Sequence, residues 1–593
     1  MMSLDQTPIN QLITDNIDTW TSTVKTKATT GRGSSKKLEL YGVKKLRELI
    51  LELAVRGKLV PQDPSDEPAS VLLERIVEIK AQLVKEKKIK PPKKSVEISD
   101  GEKPFDIPKN WKWIRLSDYA QIFSGNAFKS GDFSSEAGTK AIKITNAGVG
   151  HLIETDEYLP EEFLTTYSQY RVVKNDLILA LTRPYISDGL KVSMCPDSYH
   201  NSLLNQRVAA IRAYVNPEYA FFMLSSPYVL NTYKNRFSGS GLQPNLKMSD
   251  VTELVIPLCS EEEQHRIVAK VDELMTLCDQ LEQQTEASIE AHQVLVTTLL
   301  DTLTNSVDAD ELMQNWARIS EHFDTLFTTE ASIEQLKQTI LQLAVMGKLV
   351  PQDPADEPAA KLLERIAEEK AQLIKDKKIK KQKALPPIAD DEKPFELPNG
   401  WEWCRVQDVA QFTTSGSRDW AKYYSDSGAL FVTMGNLSRG NYQLRLDNLR
   451  YVQPPEGGEG SRTKLEAHDL LISITGDVGN LGLIPEDFGE AYINQHTCLL
   501  RFMFECQDKY FPDFMRSPLA KYQFDAPQRG IKNSFRLSDV GEMLLPLPPR
   551  EERKRVAKKV EDLMIICEQL KACLKDSQTT QIHLTDIIVE QAM

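Results

Sequence analysis

Two short stretches carry side chains able to grip a polyanion and to tell apart the hydrogen-bonding edges along it. In the first, Lys234, Arg236, Ser238, Gly241, Gln243, Asn245 and Lys247 surround the run Phe-Ser-Gly-Ser-Gly at 237–241. The second, QRGIKNSFR at 528–536, supplies Arg529, Lys532, Asn533, Ser534 and Arg536. Lysine and arginine neutralise phosphate, and glycine lets backbone N–H groups approach it. Asn, Gln and Arg offer the paired donors that distinguish purine edges in the major groove of DNA. Both stretches precede Ser-Asp-Val (249–251 and 538–540), so the same chemistry stands at the same place twice. A second pair of signals is Asn205-Gln206 and Asn494-Gln495, repeated inside otherwise divergent sequence. Short amides of this kind hold strand ends by bonding to backbone. The residues that follow them, Arg207 and His496, differ as readers of different sequences would, and are further candidates for DNA contact.

The sequence holds no catalytic constellation. The 237–241 loop has the F-x-G-x-G spacing that holds S-adenosylmethionine in amino-methyltransferases. Its companion motif, Asn/Asp-Pro-Pro-aromatic, is missing, because the double prolines read KPPK, LPPI, QPPE and LPPR. No G-x-x-x-x-G-K-[ST] phosphate loop and no G-x-S-x-G elbow occur. The run Glu261-Glu262-Glu263 reads as solvated charge at a helix amino terminus. The eight cysteines form no C-x-x-C pair and the eight histidines no metal-ligand spacing, so reduced, buried thiols and no metal site are expected. No catalytic residue and no cofactor of the chain's own are expected.

The elements that must position these residues are written twice. LELAVRGKLVPQDPSDEPAS (51–70) returns as LQLAVMGKLVPQDPADEPAA (341–360), KPFDIPKNWKWIRL (103–116) as KPFELPNGWEWCRV (393–406), and EEQHRIVAKVDELMTLCDQLE (262–282) as EERKRVAKKVEDLMIICEQLK (551–571). Each copy runs helix, middle region, helix. Leu72, Ile76 and Leu83, like Leu362, Ile366 and Leu373, fall on one helix face. Downstream, Ile267, Val271, Leu274, Cys278 and Leu281 step by heptad spacing, as do Val556, Val560, Leu563, Cys567 and Leu570. These two helices are expected to pair with each other, with Leu574, Leu584 and Ile588 prolonging the second seam. The middle regions hold short strand-like runs such as DLILAL (176–181) and DLLISI (469–474). Trp111/Trp113 and Trp401/Trp403 mark a first strand with one tryptophan of each pair buried. The fold expected is α+β: two mixed α/β domains joined by long antiparallel coiled-coil helices with an internal pseudo-twofold repeat.

The boundaries expected are a flexible extension at 1–40, a helical region at 41–100 and a first globular domain at 101–260. Central helices follow at 261–390, with an acidic connector at 306–330, then a second domain at 391–548 and a last helix at 549–593. A net charge of −13 argues against nucleic acid only if charge were spread evenly, and here the basic residues cluster. No apolar run approaches the ~20 residues needed to cross a bilayer, and no secretory signal is visible, so a cytoplasmic protein is expected.

The repeated GKLVPQDP with DEPA, and the helix start EE-[QR]-x-R-[IV]-x-x-K-V-[DE]-x-L-M, resemble the specificity subunit of Type I restriction-modification enzymes over nearly the whole chain. The resemblance implies that the middle regions are target recognition domains for double-stranded DNA and that the helices form an antiparallel spacer. It further implies docking of two adenine-N6 methyltransferase subunits and of restriction/translocase subunits, which would carry S-adenosylmethionine, ATP and Mg2+. Target domains of such families vary, so no contact residue carries over from the resemblance. Antiparallel helices paired over about 26 residues would span ~39 Å, near one ~34–36 Å turn of DNA, which suggests a bipartite target. Two other readings remain open at this point: a coiled-coil scaffold whose heads bind proteins, and an enzyme that binds S-adenosylmethionine at 237–241.

Overall fold

The computed structural model describes residues 8–28, 36–91, 97–237, 243–307, 309–455, 457, 460–526 and 535–593. The chain forms two compact units, Met1–Ser288 with Ser577–Met593, and Ile289–Asp576. The helices that frame them are α1 (Ile9–Asp15), α2 (Ile17–Ser22), α3 (Tyr41–Val55), α4 (Ala69–Lys85), α5 (Glu261–Asn305), α6 (Ala309–Glu321), α7 (Glu330–Val345), α8 (Ala359–Lys375) and α9 (Arg550–Ala592). The long helices α5 and α9 each contribute one part to either unit.

In the first unit, Arg47 near the start of α3 bonds Asp279 (2.6 Å) and Glu282 (2.8 Å) of α5, and Tyr41 bonds Asp586 of α9 at 2.8 Å. Beyond the end of α3, Asp66 pairs with Arg266 near the start of α5, and Lys58 reaches the carbonyl of Met593. In the second unit, Lys337 of α7 meets Glu568 of α9 at 2.5 Å, and Gln352 meets Glu552 at 3.2 Å. Gln335 and Lys348 meet Gln293 and the Thr304 carbonyl on the α5 side. Both sets of contacts make α5 and α9 antiparallel. The heptad seams Ile267–Leu281 and Val556–Leu570, expected to close on each other, fall in different units. In the second unit, Val296, Leu300 and Leu303 of α5 share one core with Ile333, Leu336 and Ile340 of α7 and with Val556, Val560, Leu563 and Cys567 of α9. The seam does not continue through Leu584, which is 47 % exposed. Thr585 (0 %) takes the buried position in its place, and Ile588 (9 %) is buried as expected. An extra four-residue step near 574–578 shifts the phase of the stripe by one position.

The near-identical repeats mark one joint built twice. Each of α3 and α7 ends in a left-handed glycine, Gly57 (φ +67°) or Gly347 (φ +70°), with the next residue bonding back to the carbonyl of Leu53 or Leu343. A side chain there would strike Pro108 or Pro398 of the repeated Pro-x-x-Trp segment, at 2.5 Å in both cases. The Asp of Asp-Glu-Pro-Ala then holds the next long helix, Asp66 with Arg266 and Asp356 with Arg555. Glu263, read from sequence as a solvated charge, is buried: its carboxylate accepts from the Trp111 indole (2.8 Å) and from Gln62. Glu552 is buried at the equivalent place. Burial pushes both carboxyls above the usual range against the hydrogen bonds that favour ionisation. Trp111 and Trp401 are the buried members of their pairs, as expected.

Residues 1–40 also differ from expectation where they are described. They are α1, α2 and an antiparallel strand pair, Lys25–Ala28 with Lys36–Glu39. Ile9, Ile13 and Trp20 bury one face, and the Thr23 hydroxyl bonds Thr585 at 3.0 Å, so this segment is packed rather than loose. The acidic connector likewise forms α6 and the short helix Phe323–Leu326, with Ile319, Leu326 and Phe327 in the core of the second unit.

Each unit carries a sheet-rich head. In the first, β1 (Ala120–Ser124), β2 (Leu177–Ala180), β3 (Val192–Met194) and β4 (Val208–Ala213) form an antiparallel sheet in the order β3-β2-β4-β1. In the second, β5 (Ala410–Ser415), β6 (Leu470–Ser473), β7 (Leu481–Leu483) and β8 (Thr497–Phe502) take the matching order β7-β6-β8-β5. A second sheet in each head contains one parallel pair, Thr139–Ile142 with Ser202–Leu204 and Ala429–Val432 with Ala491–Ile493. The two sheets of each head meet at a glycine. A Cβ on Gly125 would lie 2.2 Å from the Asn205 carbonyl oxygen, and one on Gly416 would lie 2.0 Å from that of Ile493.

Gly125→Ala and Gly416→Ala should each cost their own head on the order of 3 kcal/mol by overpacking against backbone, whereas Gly131→Ala, which meets nothing within 4 Å, should be neutral. Urea unfolding followed by a probe in each head measures this. A pH effect is expected in the second unit. Burial pushes the Asp513 carboxyl up to about 7, although Arg516 opposes the shift. The folded state therefore holds this proton more tightly than the unfolded state, so the contribution is complete below about pH 4 and is lost as pH rises through about 7. Thermal unfolding of Asp513→Asn should lose that part of the pH dependence.

Candidate nucleic-acid interface

One main-chain lattice brings three sequence-distant segments together at the rim of each head. In the first, the Leu181 N–H donates to the Arg207 carbonyl at 2.9 Å, and the Leu181 carbonyl accepts from the Leu246 N–H at 2.7 Å. Thr182 pairs with Asn245 as a β-bridge, and the Arg183 N–H donates to the Pro244 carbonyl at 2.9 Å. In the second head, the Ile474 N–H donates to the His496 carbonyl at 3.1 Å, and the Ile474 carbonyl accepts from the Phe535 N–H at 2.9 Å. Strand ends β2 and β6, the Asn-Gln turns, and the segments that follow the two basic loops are thus joined the same way twice.

The Asn-Gln pairs do what their chemistry suggested. The Asn494 side-chain oxygen accepts from the His496 N–H and the Thr497 hydroxyl, both at 3.1 Å, and Asn205 accepts from the Gln206 N–H at 2.8 Å. Backbone bridges Asn126–Asn205 and Ser417–Asn494 complete each turn. Below the rim, a bidentate ion pair fixes the strand that carries it: Arg212 with Asp176 at 2.8 and 2.6 Å, and Arg501 with Asp469 at 2.7 Å twice. Sequence reasoning passed over these arginines and aspartates, although both recur at matching places.

The candidate contacts divide into three groups. Arg207, Gln243, Asn245 and Lys247 are exposed along the first rim and Arg536 along the second, where His496 is half-buried with its ring 2.9 Å from the Gln495 amide. Lys234 stands 6.0 Å from the ring centroid of Tyr185, two residues beyond Arg183, and so belongs to the same rim. Arg236 is different, because its guanidinium is held by Asp250 at 2.6 Å. Ser238, Gly241, Arg529, Lys532, Asn533 and Ser534 lie outside the described residues.

Two rim residues were missed. Arg183 is exposed, with its backbone at φ +48°. Its counterpart two residues beyond Ile474 is Gly476, at φ +77°. A left-handed backbone costs an L residue roughly 1–2 kcal/mol and glycine almost nothing. Arg207 also stands at positive φ (+67°), so the first rim holds two arginines in this uncommon region. Arg418, exposed next to Ser417, is a cation of the second rim at a different place, where the first head has Ala127. Sequence carried the signal for Arg183 only in the comparison of Leu-Thr-Arg with Ile-Thr-Gly across the repeat.

Comparison with known proteins agrees with this organisation. Residues 108–291 match the model of the Type I restriction modification DNA specificity domain. The chain is 38% identical over 596 aligned residues to the EcoAI specificity subunit of Escherichia coli, covering 99% of this chain and all of that one. It is 39% identical to the EcoEI specificity subunit of the same species, again over 99% of this chain and all of the relative. A solved chain of a type I R-M system aligns at 18% identity and a TM-score of 0.49, over 82% of this chain and 99% of that one. Similarity at this level to two relatives over almost the full length, on a scaffold that builds the same rim twice, makes this chain a member of the Type I restriction enzyme specificity-subunit family.

Proposed function

We propose that the chain is the DNA-recognition subunit of a Type I restriction-modification complex, with each head reading one half of a bipartite, asymmetric target. The observation that carries this reading is the rim: the backbone bonds at Leu181 and Ile474 are the same in both heads, and the side chains around them differ. A shared lattice presents groups to a groove at the same height and angle, and different side chains there select different bases. Rim lysines and arginines supply the sequence-independent attraction to phosphate. With a net charge of −13 on the chain as a whole, that attraction is local.

The partners in this reading are two methyltransferase subunits that modify adenine N6 and restriction/translocase subunits that cut. S-adenosylmethionine, ATP and Mg2+ belong to those partners, and this chain contributes position rather than catalysis. The setting is the cytoplasm, where such a complex meets DNA. No described helix is long and apolar enough to cross a membrane.

Mapping adenine methylation in cells with and without this chain tests the reading. A two-part motif with an unread gap should appear only when the chain is present, and methylation that does not depend on it would overturn the proposal. Replacing Arg529, Lys532 and Arg536 by alanine should impair one half of that motif and leave the base preference of the other half intact. The isolated chain should bind DNA weakly, and more weakly still as salt rises.

A further inference from the structure

We infer that Arg183 is a specificity-determining residue of the first head, presenting its guanidinium fork to a guanine edge in the half-site that this head reads. The inference rests on the DNA-recognition reading above and names a residue for it. Three observations converge. Arg183 sits where the lattice requires a left-handed backbone, a conformation that Gly476 adopts without cost at the same point of the second head. Its amide is tied to the Pro244 carbonyl at 2.9 Å, which fixes the base of the side chain between the Asn-Gln turn and the Asn245 segment. Its side chain is exposed and has no ion-pair partner among the described residues.

The choice between base and phosphate follows from comparing the heads. Both half-sites offer the same phosphates in the same geometry, so a phosphate-holding cation belongs at equivalent places on two equivalent rims. The arginines do not match: the first head has Arg183 with Ala127, and the second has Gly476 with Arg418. A cation that moves when the sequence being read changes is a reader. Arginine at a pinned backbone suits guanine, because its planar fork donates two parallel hydrogen bonds to O6 and N7.

The test uses the full chain assembled with its methyltransferase partners. Arg183→Gly installs the residue that the second head already tolerates, so its unfolding temperature should be no lower than the parent's. Arg183→Lys keeps the charge and removes the fork. Both variants should lose about tenfold or more of the preference for one base pair in one half-site, leave the other half-site unchanged and keep the parent's salt slope. Equal weakening on every sequence with Arg183→Gly, together with a salt slope lower by about one and rescue by Arg183→Lys, would assign Arg183 to phosphate and overturn the inference. Unchanged base preference would overturn it too, as would a loss of thermal stability in Arg183→Gly. A parent complex whose methylation does not depend on this chain would instead remove the DNA-recognition reading itself.

Discussion

Backbone hydrogen bonds at a single residue in each head, Leu181 and Ile474, hold together three segments that lie far apart in sequence. Because donor and acceptor are both main chain, the lattice does not depend on which side chains project from it. A surface meant to be rewritten for different sequences has to be framed this way. If the rim were held by side-chain pairs, each change of reader would also remove a support. The close approach at Gly125 and Gly416 serves the same end, since it joins the two sheets of a head without using a side chain.

Beneath the rim the opposite rule holds. The joint between each head and its helices is made of side-chain pairs: Trp111 and Gln62 on the buried Glu263, Gln352 on the buried Glu552, Asp66 on Arg266 and Asp356 on Arg555. A buried carboxylate that loses its donors leaves an uncompensated charge, so such a joint resists piecemeal change. This explains why GKLVPQDP and DEPA are nearly identical in the two copies while the heads diverge. The ion pair Arg212–Asp176, repeated as Arg501–Asp469, lies between the two regimes and ties the variable rim to a fixed strand.

How much of this was legible in the sequence depends on whether a contact left a pattern. The duplication, the seams at Ile267–Leu281 and Val556–Leu570, and the buried Trp111 and Trp401 follow from periodicity and repetition, which sequence displays directly. Glu263 was misread because a carboxylate at a helix start looks the same whether water or tryptophan surrounds it. Leu584 was misread because the stripe shifts phase by a four-residue step within a polar stretch, where no apolar residue marks the change. Arg183 went unnoticed because a backbone angle is invisible until a lattice demands it. The packing of the segment around Trp20 leaves no local pattern, because its partners, α3 and Thr585, lie outside its own stretch of sequence.

That last point bears on how the molecule must fold. The first unit is completed by residues 577–593, and its bonds Thr23–Thr585 and Tyr41–Asp586 join positions 562 and 545 residues apart. Local helices can form early, but this closure waits for the last helix and carries the cost of a very long loop, softened because that cost grows only logarithmically with length. The second unit contains its head, α7 and the first part of α9 without interruption. It can therefore assemble as one continuous stretch, with the first part of α9 in place. A helix already nucleated at its start extends with less entropy left to lose, so the continuity of α9 lowers the barrier to the Thr23–Thr585 and Tyr41–Asp586 contacts.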